Sequence, residues 1–218
     1  MGEFRPVFLV NGVLLLILGL AMLVPALLDA RVGHPDWQVF MAAAFVTGFV
    51  GAALSITCWG SGKNLNLRQA FILTTSVWVV TPAFGALPFV FSELGLSYTD
   101  AFFEAMSGIT TTGSTVISGL EFAPPGILIW RALLQWMGGI GIIVTAVAIL
   151  PLLRVGGMQL FRMESSDASE KVLPRTAQIA GAISIIYLSL SLLCAIGYWA
   201  AGMPPFEAAA HAMTTIAT

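Results

Sequence analysis

Six consecutive residues, Thr110-Thr111-Thr112-Gly113-Ser114-Thr115, carry the densest chemistry in this chain. Seven of the twelve residues from 107 to 118 are Ser or Thr, the composition of a polar pore lining. Gly113 can take a backbone angle that a residue with a β-carbon resists. Successive carbonyls on an extended Thr-Thr-Thr-Gly strip can then point the same way, and oxygens so arranged replace the hydration shell of a monovalent cation. The candidate ligands are the carbonyls of Thr110, Thr111, Thr112 and Gly113. Just upstream, Asp100 reads as an N-cap, and the residues from Asp100 to Ile109 form helices readily. Ten residues make about 15 Å of helix, roughly half of the ~30 Å hydrocarbon core. Such a helix cannot span; it can dip in, end with its negative dipole facing a cation, and hand over to an extended return. Ser, Thr and Gly are equally the residues of an ordinary outer turn, and the segment by itself leaves both readings open.

The elements around the strip must come from a membrane protein. Of 218 residues, 58% are hydrophobic and 9% charged. A soluble domain carries about 25% charged residues. Nine cationic residues scattered along the chain make no nucleic-acid footprint. Cys58 and Cys194 each lie in an apolar run and read as packing residues, and no His or Cys spacing suggests a metal or cofactor. Five uncharged stretches, 7–28, 39–62, 69–92, 132–153 and 176–206, are long enough to cross a bilayer and lack the alternation of barrel strands. The expected fold is an all-α membrane protein. If the spans alternate, Arg5, Lys63, Arg68, Arg154, Arg162, Lys171 and Arg175 share one side, leaving only Arg31 and Arg131 opposite. The positive-inside rule then puts the N-terminus in the cytoplasm, and the stretch from Ser92 to Ala132 leaves and returns on the outer face.

A shift of 107 residues brings the half-helix back. Asp100-Ala-Phe-Phe-Glu-Ala-Met-Ser-Gly-Ile-Thr-Thr111 aligns with Glu207-Ala-Ala-Ala-His-Ala-Met-Thr-Thr-Ile-Ala-Thr218, with five of twelve positions identical. Gly95 meets Gly202 upstream, and a long apolar span precedes each copy. Internal self-similarity is evidence about architecture in its own right. The unit is helix, half-helix, hydroxyl strip, helix, used at least twice. The second copy stops two residues short of the position matching Gly113, so the chain is expected to break off inside its second repeat. The expected organisation is two N-terminal transmembrane helices over 1–68, a first helix–pore-loop–helix repeat over 69–153, a cytoplasmic connection over 154–175 and an incomplete second repeat over 176–218.

At Phe102–Ser114 (FFEAMSGITTTGS), Arg131–Pro151 (RALLQWMGGIGIIVTAVAILP), Val155–Arg162 (VGGMQLFR) and His211–Thr218 (HAMTTIAT) the chain resembles the TrkH family of bacterial potassium uptake proteins, within the Trk/Ktr/HKT superfamily. The resemblance implies a pore of four such repeats preceded by two extra helices, in the inner membrane. It implies a homodimer regulated by a cytoplasmic nucleotide-binding partner, TrkA. Carried over residue by residue, Thr110, Thr111, Thr112 and Gly113 form the first filter strip, and Ala217 and Thr218 begin the second. Thr111, Thr112 and Thr218 would hold potassium, which is cargo and not a cofactor. Within the superfamily, a serine in place of a filter glycine is associated with sodium permeation, so Gly113 leans the first strip to potassium and leaves a sodium or non-selective relative as the alternative.

Arg131, between Trp130 and Trp136 and four residues before Gln135, reads as lying at the outer end of the fourth span. It either snorkels outward beside belt tryptophans or pairs with Glu104 or Glu121 and, with Asp100 and Gln135, supports the pore loop. Gly138, Gly139 and Gly141 read as close helix packing. His211 stands where the first repeat has Glu104 and reads as a packing or capping residue. The mixed charges from Arg154 to Arg175 form a solvated loop or a docking surface for the regulator. An intramembrane hydrolase using Ser114 and His211 lacks both an acid beside the His and a nucleophile turn, so no enzyme activity is expected.

Overall fold

A computed structural model describes residues 4–60, 66–153 and 172–217. All regular elements among them are helical: α1 (Arg5–Ala21), α2 (Leu23–Val32), α3 (Trp37–Thr57), α4 (Leu67–Gly85), α5 (Leu87–Phe91), α6 (Tyr98–Ile109), α7 (Pro125–Leu153), α8 (Val172–Ala200) and α9 (Pro205–Ala217), with a 3-10 turn at Leu120–Phe122. Among the described residues five helices are long and apolar enough to cross a membrane, over Arg5–Val32, Trp37–Thr57, Arg68–Phe91, Pro125–Ile143 and Gln178–Ala200. The chain is a multi-pass membrane protein. Of the cations that set the expected orientation, Lys63, Arg154, Arg162 and Lys171 lie outside the described residues, as do the Val155–Arg162 stretch and Thr218.

Prolines explain why two of the crossings are each built from two helices. Pro25 has no N–H for the carbonyl of Ala21, and its ring crowds that carbonyl; α1 and α2 meet at Met22. Pro88 does the same to Phe84, and α4 and α5 meet at Ala86. The carbonyl of Gly85, beside that break, is taken by the indole N–H of Trp130 at 3.0 Å. Trp130 is fully buried and meets Phe40 edge to face, with ring centroids 6.2 Å apart. Around it Phe89, Leu15, Met22, Ile127 and Leu134 complete the core that joins the two N-terminal crossings to α7.

The first two crossings touch backbone to backbone. A β-carbon on Gly12 would lie 2.9 Å from the Gly51 carbonyl, and one on Gly51 would lie 2.8 Å from the Gly12 carbonyl. Without a hydrophobic driving force in lipid, small residues let helices approach and gain dispersion instead. Asn11 is buried on this pair and donates to Ser76 Oγ at 2.8 Å and to the Val7 carbonyl at 2.9 Å, tying α1 to α4.

The 107-residue shift is visible in the backbone. Tyr98 opens α6 and Pro205 opens α9 at that offset, and each follows a glycine with positive φ, Gly95 (63°) and Gly202 (98°). Three boundaries differ from expectation. Ser97, not Asp100, caps α6: its Oγ accepts from the Asp100 N–H at 3.2 Å and donates to Asp100 Oδ2 at 2.7 Å, which adds a turn at the N-terminus. The fourth span begins at Pro125, because Pro at the first helical position gives up nothing, so Arg131 lies nearly two turns inside the helix instead of at its end. The fifth span stops at Ala200, and Gly202 and Pro204 separate it from α9.

Helix α7 receives both short helices through adjacent glycines. A β-carbon on Gly138 would fall 2.1 Å from the Ile109 carbonyl at the end of α6. One on Gly139 would fall 2.6 Å from the Tyr187 hydroxyl on α8 and 3.2 Å from Ala217 Cα on α9. Close packing is therefore the role of these two, while Gly141 has nothing within 4 Å. Gly138→Ala should destabilise by about 1–3 kcal/mol, the usual cost of overpacking, and Gly141→Ala should leave thermal unfolding in detergent unchanged. Equal melting temperatures for the two variants would contradict this packing.

Candidate ion-binding strip

Where α6 ends, its last carbonyls must find donors or water. The strip supplies the donors. The N–H of Thr110 bonds to the Met106 carbonyl (2.9 Å), that of Thr111 to Gly108 (2.8 Å), and those of Thr112 and Gly113 both to Ser107 (2.9 and 3.2 Å). Turning four successive N–H groups back on the helix end requires unusual backbone. Thr111 has φ 58°, the one positive value at a non-glycine residue among those described, and Gly113 has φ 76°. A β-branched residue in that region costs on the order of 1–3 kcal/mol and persists only where its surroundings enforce it. A positive φ is what favours glycine at 113; a β-carbon there would also sit 3.1 Å from Gln135 Nε2, close enough that the amide would have to shift.

Among the described residues no backbone N–H donates to the carbonyls of Thr110, Thr111, Thr112 or Gly113. The next carbonyl, that of Ser114, is taken by Ser107 Oγ at 2.6 Å. Residues 112–116 are exposed on the surface of the described chain. Two threonine hydroxyls add oxygen density: Thr110 Oγ1 bonds the Met106 carbonyl at 2.8 Å and lies 2.9 Å from Thr112 Oγ1.

The return of the strip is fixed by one carboxylate. Glu104 is buried, its side chain fully so. Its Oε1 accepts from Thr115 Oγ1 at 2.6 Å and from the Val116 N–H, and its Oε2 accepts from Arg131 Nε at 2.9 Å. Thr115 Oγ1 in turn accepts from the Ile117 N–H at 3.0 Å, and Ile117 is buried in the core. Arg131 pairs with Glu104 and does not snorkel: its side chain is 16% exposed. Among the described residues Glu121 forms no ion pair. The face of α7 that carries the loop runs Arg131, Leu134, Gln135, Gly138, the i, i+3, i+4, i+7 pattern of one helical stripe.

The structure does not bring every expected residue together. Asp100 is engaged with Ser97 at the far end of α6 and touches no part of the strip. Ala217 is the last residue of α9, and the position after it lies outside the described residues. His211 occupies the place of Glu104 in the second unit, but it is exposed, with Nδ1 2.9 Å from the Glu207 carbonyl and its ring edge-on to Tyr198. Among the described residues no hydrogen bond joins the Ser114 hydroxyl to His211, whose Nδ1 lies against the Glu207 carbonyl. Sequence reasoning missed two residues of the site. Ser107 accepts and donates at the turn, and Tyr187 hydrogen-bonds the Trp136 carbonyl at 3.0 Å beside Gly139. The first had a visible signal, a small hydroxyl residue one turn before the end of a half-helix; the second had none.

Removing one partner of a buried pair leaves the other charge uncompensated, at a cost of about 3–5 kcal/mol. Arg131→Met and Glu104→Ala should each destabilise on that scale. The double substitution should cost clearly less than their sum in a thermal-unfolding cycle. Strict additivity would mean that the two side chains do not interact.

Comparison with known proteins places the chain in a family. Residues 36–218 match the family model TrkH, described as a cation transport protein. The chain is 45% identical to the Trk system potassium uptake protein TrkI of Halomonas elongata, over 99% of this chain and 44% of that one. It is 41% identical to the Trk system potassium uptake protein TrkH of Escherichia coli strain K12, over 99% of this chain and 45% of that one. It superimposes on the crystal structure of the potassium transporter TrkH from Vibrio parahaemolyticus with a TM-score of 0.84 and 40% identity, covering 97% of this chain and 42% of that chain. The chain thus spans about half the length of the relatives it matches.

Proposed function

This chain belongs to the TrkH family of cation transport proteins, and we propose that it forms part of a pore that takes potassium up across the cell inner membrane. The observation that carries the reading is the run of four main-chain oxygens, Thr110 to Gly113, left without backbone donors while their N–H groups are turned into the end of α6. In this reading those carbonyls exchange for the water around the ion. The negative end of the α6 dipole lies behind them and lowers the cost of bringing a cation there. Potassium sits against Thr111 and Thr112 of this strip and against Thr218 of the next. Glu104, Arg131 and Gln135 hold the strip in register and touch no ion. The names of the relatives, Trk system potassium uptake proteins, support potassium as the cargo over sodium.

The same reading puts the N-terminus in the cytoplasm and the strip towards the outer face. It makes the working molecule a homodimer in lipid, coupled through its cytoplasmic side to a nucleotide-binding regulator of the TrkA type. Hydrolytic chemistry is not part of the proposal, and no cofactor is needed for desolvation and coordination.

The test is rubidium uptake by a potassium-uptake-deficient cell that expresses the full-length gene. Gly113→Leu places a side chain at positive φ and against Gln135, and should abolish uptake while the protein still reaches the membrane. Wild-type uptake in that variant would remove the filter assignment. Sodium added in excess should leave rubidium uptake by the unaltered protein essentially undiminished; strong competition would make the pore a sodium or non-selective one.

A further inference from the structure

Arg131, Leu134, Gln135 and Gly138 meet α6 and the strip only if α7 stands at the right height and rotation. The sequence of α7 does little to secure its own start. A helix leaves its first N–H groups without partners, and the residue before it commonly lends a side-chain oxygen to one of them. Here that residue is Pro124, whose side chain has none. Its carbonyl accepts from the N–H groups of Ile127 and Leu128 at 3.0 and 3.1 Å, and Pro125 has no N–H to satisfy. The N–H of Gly126 remains. Oδ1 of Asp29 takes it at 2.7 Å, from 97 residues earlier in the chain.

The fit between the two residues is close. Asp29 is fully buried, and among the described residues its Oδ2 has no hydrogen-bond partner. A β-carbon on Gly126 would collide with Oδ2 and lie 2.7 Å from Oδ1, so glycine leaves the space that the carboxyl group fills. The carboxyl also stands at the positive end of the α7 dipole, where negative charge is favoured. Asp29 is itself held firmly. Its main-chain oxygen accepts from the His34 N–H at 2.9 Å, and Gly33, with φ 76°, closes the end of α2 in the left-handed region.

We propose that Asp29 is a positioning residue for the strip: its carboxyl group caps α7 from the first crossing and fixes the height at which Arg131 meets Glu104. For its effect on uptake this rests on the strip being the ion site. Gly126 and Arg131 are five residues apart, about 7.5 Å along the helix and about 140° around it. Two buried carboxyl groups therefore grip the opening turns of α7 from different sides, Asp29 from α2 and Glu104 from α6. Between them Trp130 donates to the carbonyl of Gly85, on α4, at 3.0 Å.

The path from this cap to the strip is short. Glu104 joins Arg131 to Thr115 and Val116, where the strip returns. One turn further along α7, Leu134 packs on Gly108 and Gln135 on Gly113. Without an acceptor at position 29 the buried N–H of Gly126 loses its partner, a cost that favours a shift of α7. Such a shift carries Arg131 and Gln135 away from Glu104 and Gly113, and loosens the carbonyls of Thr110 to Gly113. An amide oxygen in place of the carboxyl oxygen accepts the same bond, so the cap requires an acceptor at this point and not a charge.

Hydrogen–deuterium exchange and rubidium uptake by the full-length protein test this together. In Asp29→Ala, peptides covering 107–118 should exchange at least about threefold faster, while a peptide within α8, such as 181–195, keeps its rate. The KM for rubidium should rise at least about threefold at an unchanged maximal rate per protein in the membrane, a split that a general loss of folded protein would not give. Asp29→Asn should recover both readouts, and Gly126→Ala should reproduce the defect because its methyl group displaces the carboxyl. Unchanged exchange at 107–118 in Asp29→Ala, or a defect in Asp29→Asn as large as in Asp29→Ala, would overturn the proposal. Faster exchange at the strip with an unaltered KM upholds the positioning and counts against the strip as the ion site. If Asp29→Ala does not reach the membrane, Gly126→Ala decides by the same two readouts.

Discussion

Backbone that leaves helical geometry at membrane depth must satisfy its N–H groups without water, because each orphan there costs several kcal/mol. The strip after α6 meets this constraint from two sides. Its first four N–H groups fold back onto carbonyls at the helix end. Its return is caught by Glu104, which collects a hydroxyl, a main-chain N–H and a guanidinium. The carboxylate is buried, and its charge is tolerated because Arg131 answers it on one oxygen and two hydrogen bonds engage the other. What the arrangement leaves over is oxygen: donors point inward to protein, acceptors are free to face elsewhere. A polar strip can then exist where lipid would forbid it.

Much of this was legible in the residues, and the reasons for the misses are physical. The half-helix was readable because its length falls short of a span and its hydroxyl strip follows at once. The repeat was readable because Ala-Met and Ile-x-Thr recur at one spacing, and α6 and α9 begin at that same offset. The Glu104–Arg131 pair was one of the alternatives, and only packing could choose it. Charge was the poorest guide. Treating Arg131 as the edge of a span shortened α7 by seven residues, because a charge neutralised by a partner from another helix does not end a hydrophobic crossing. Asp100 was misplaced for a subtler reason: Ser97 and Asp100 are both good caps three residues apart, and the earlier one wins by adding a turn.

The N-terminal crossings and the helices from α4 to α7 are joined by polar contacts as well as by apolar ones. Asn11 reaches Ser76, Asp29 reaches the start of α7, and Asp36 reaches the loop after α5. Hydrocarbon surfaces give little preference for one helix neighbour over another in lipid, where tails are as apolar as leucine. Directional bonds at fixed heights supply that preference. They set which faces of α1, α2 and α3 meet the helices that follow, while Trp130 and Phe40 fill the space between.

The glycine doublet on α7 has a mechanical corollary. Residues 138 and 139 sit about 100° apart around the helix axis, and each accepts the tail of a different half-helix. One rod thus serves as an axle for α6 and α9. A small twist of α7 cannot press on α6 without changing its grip on α9, so the two short helices are geared together by bare main chain.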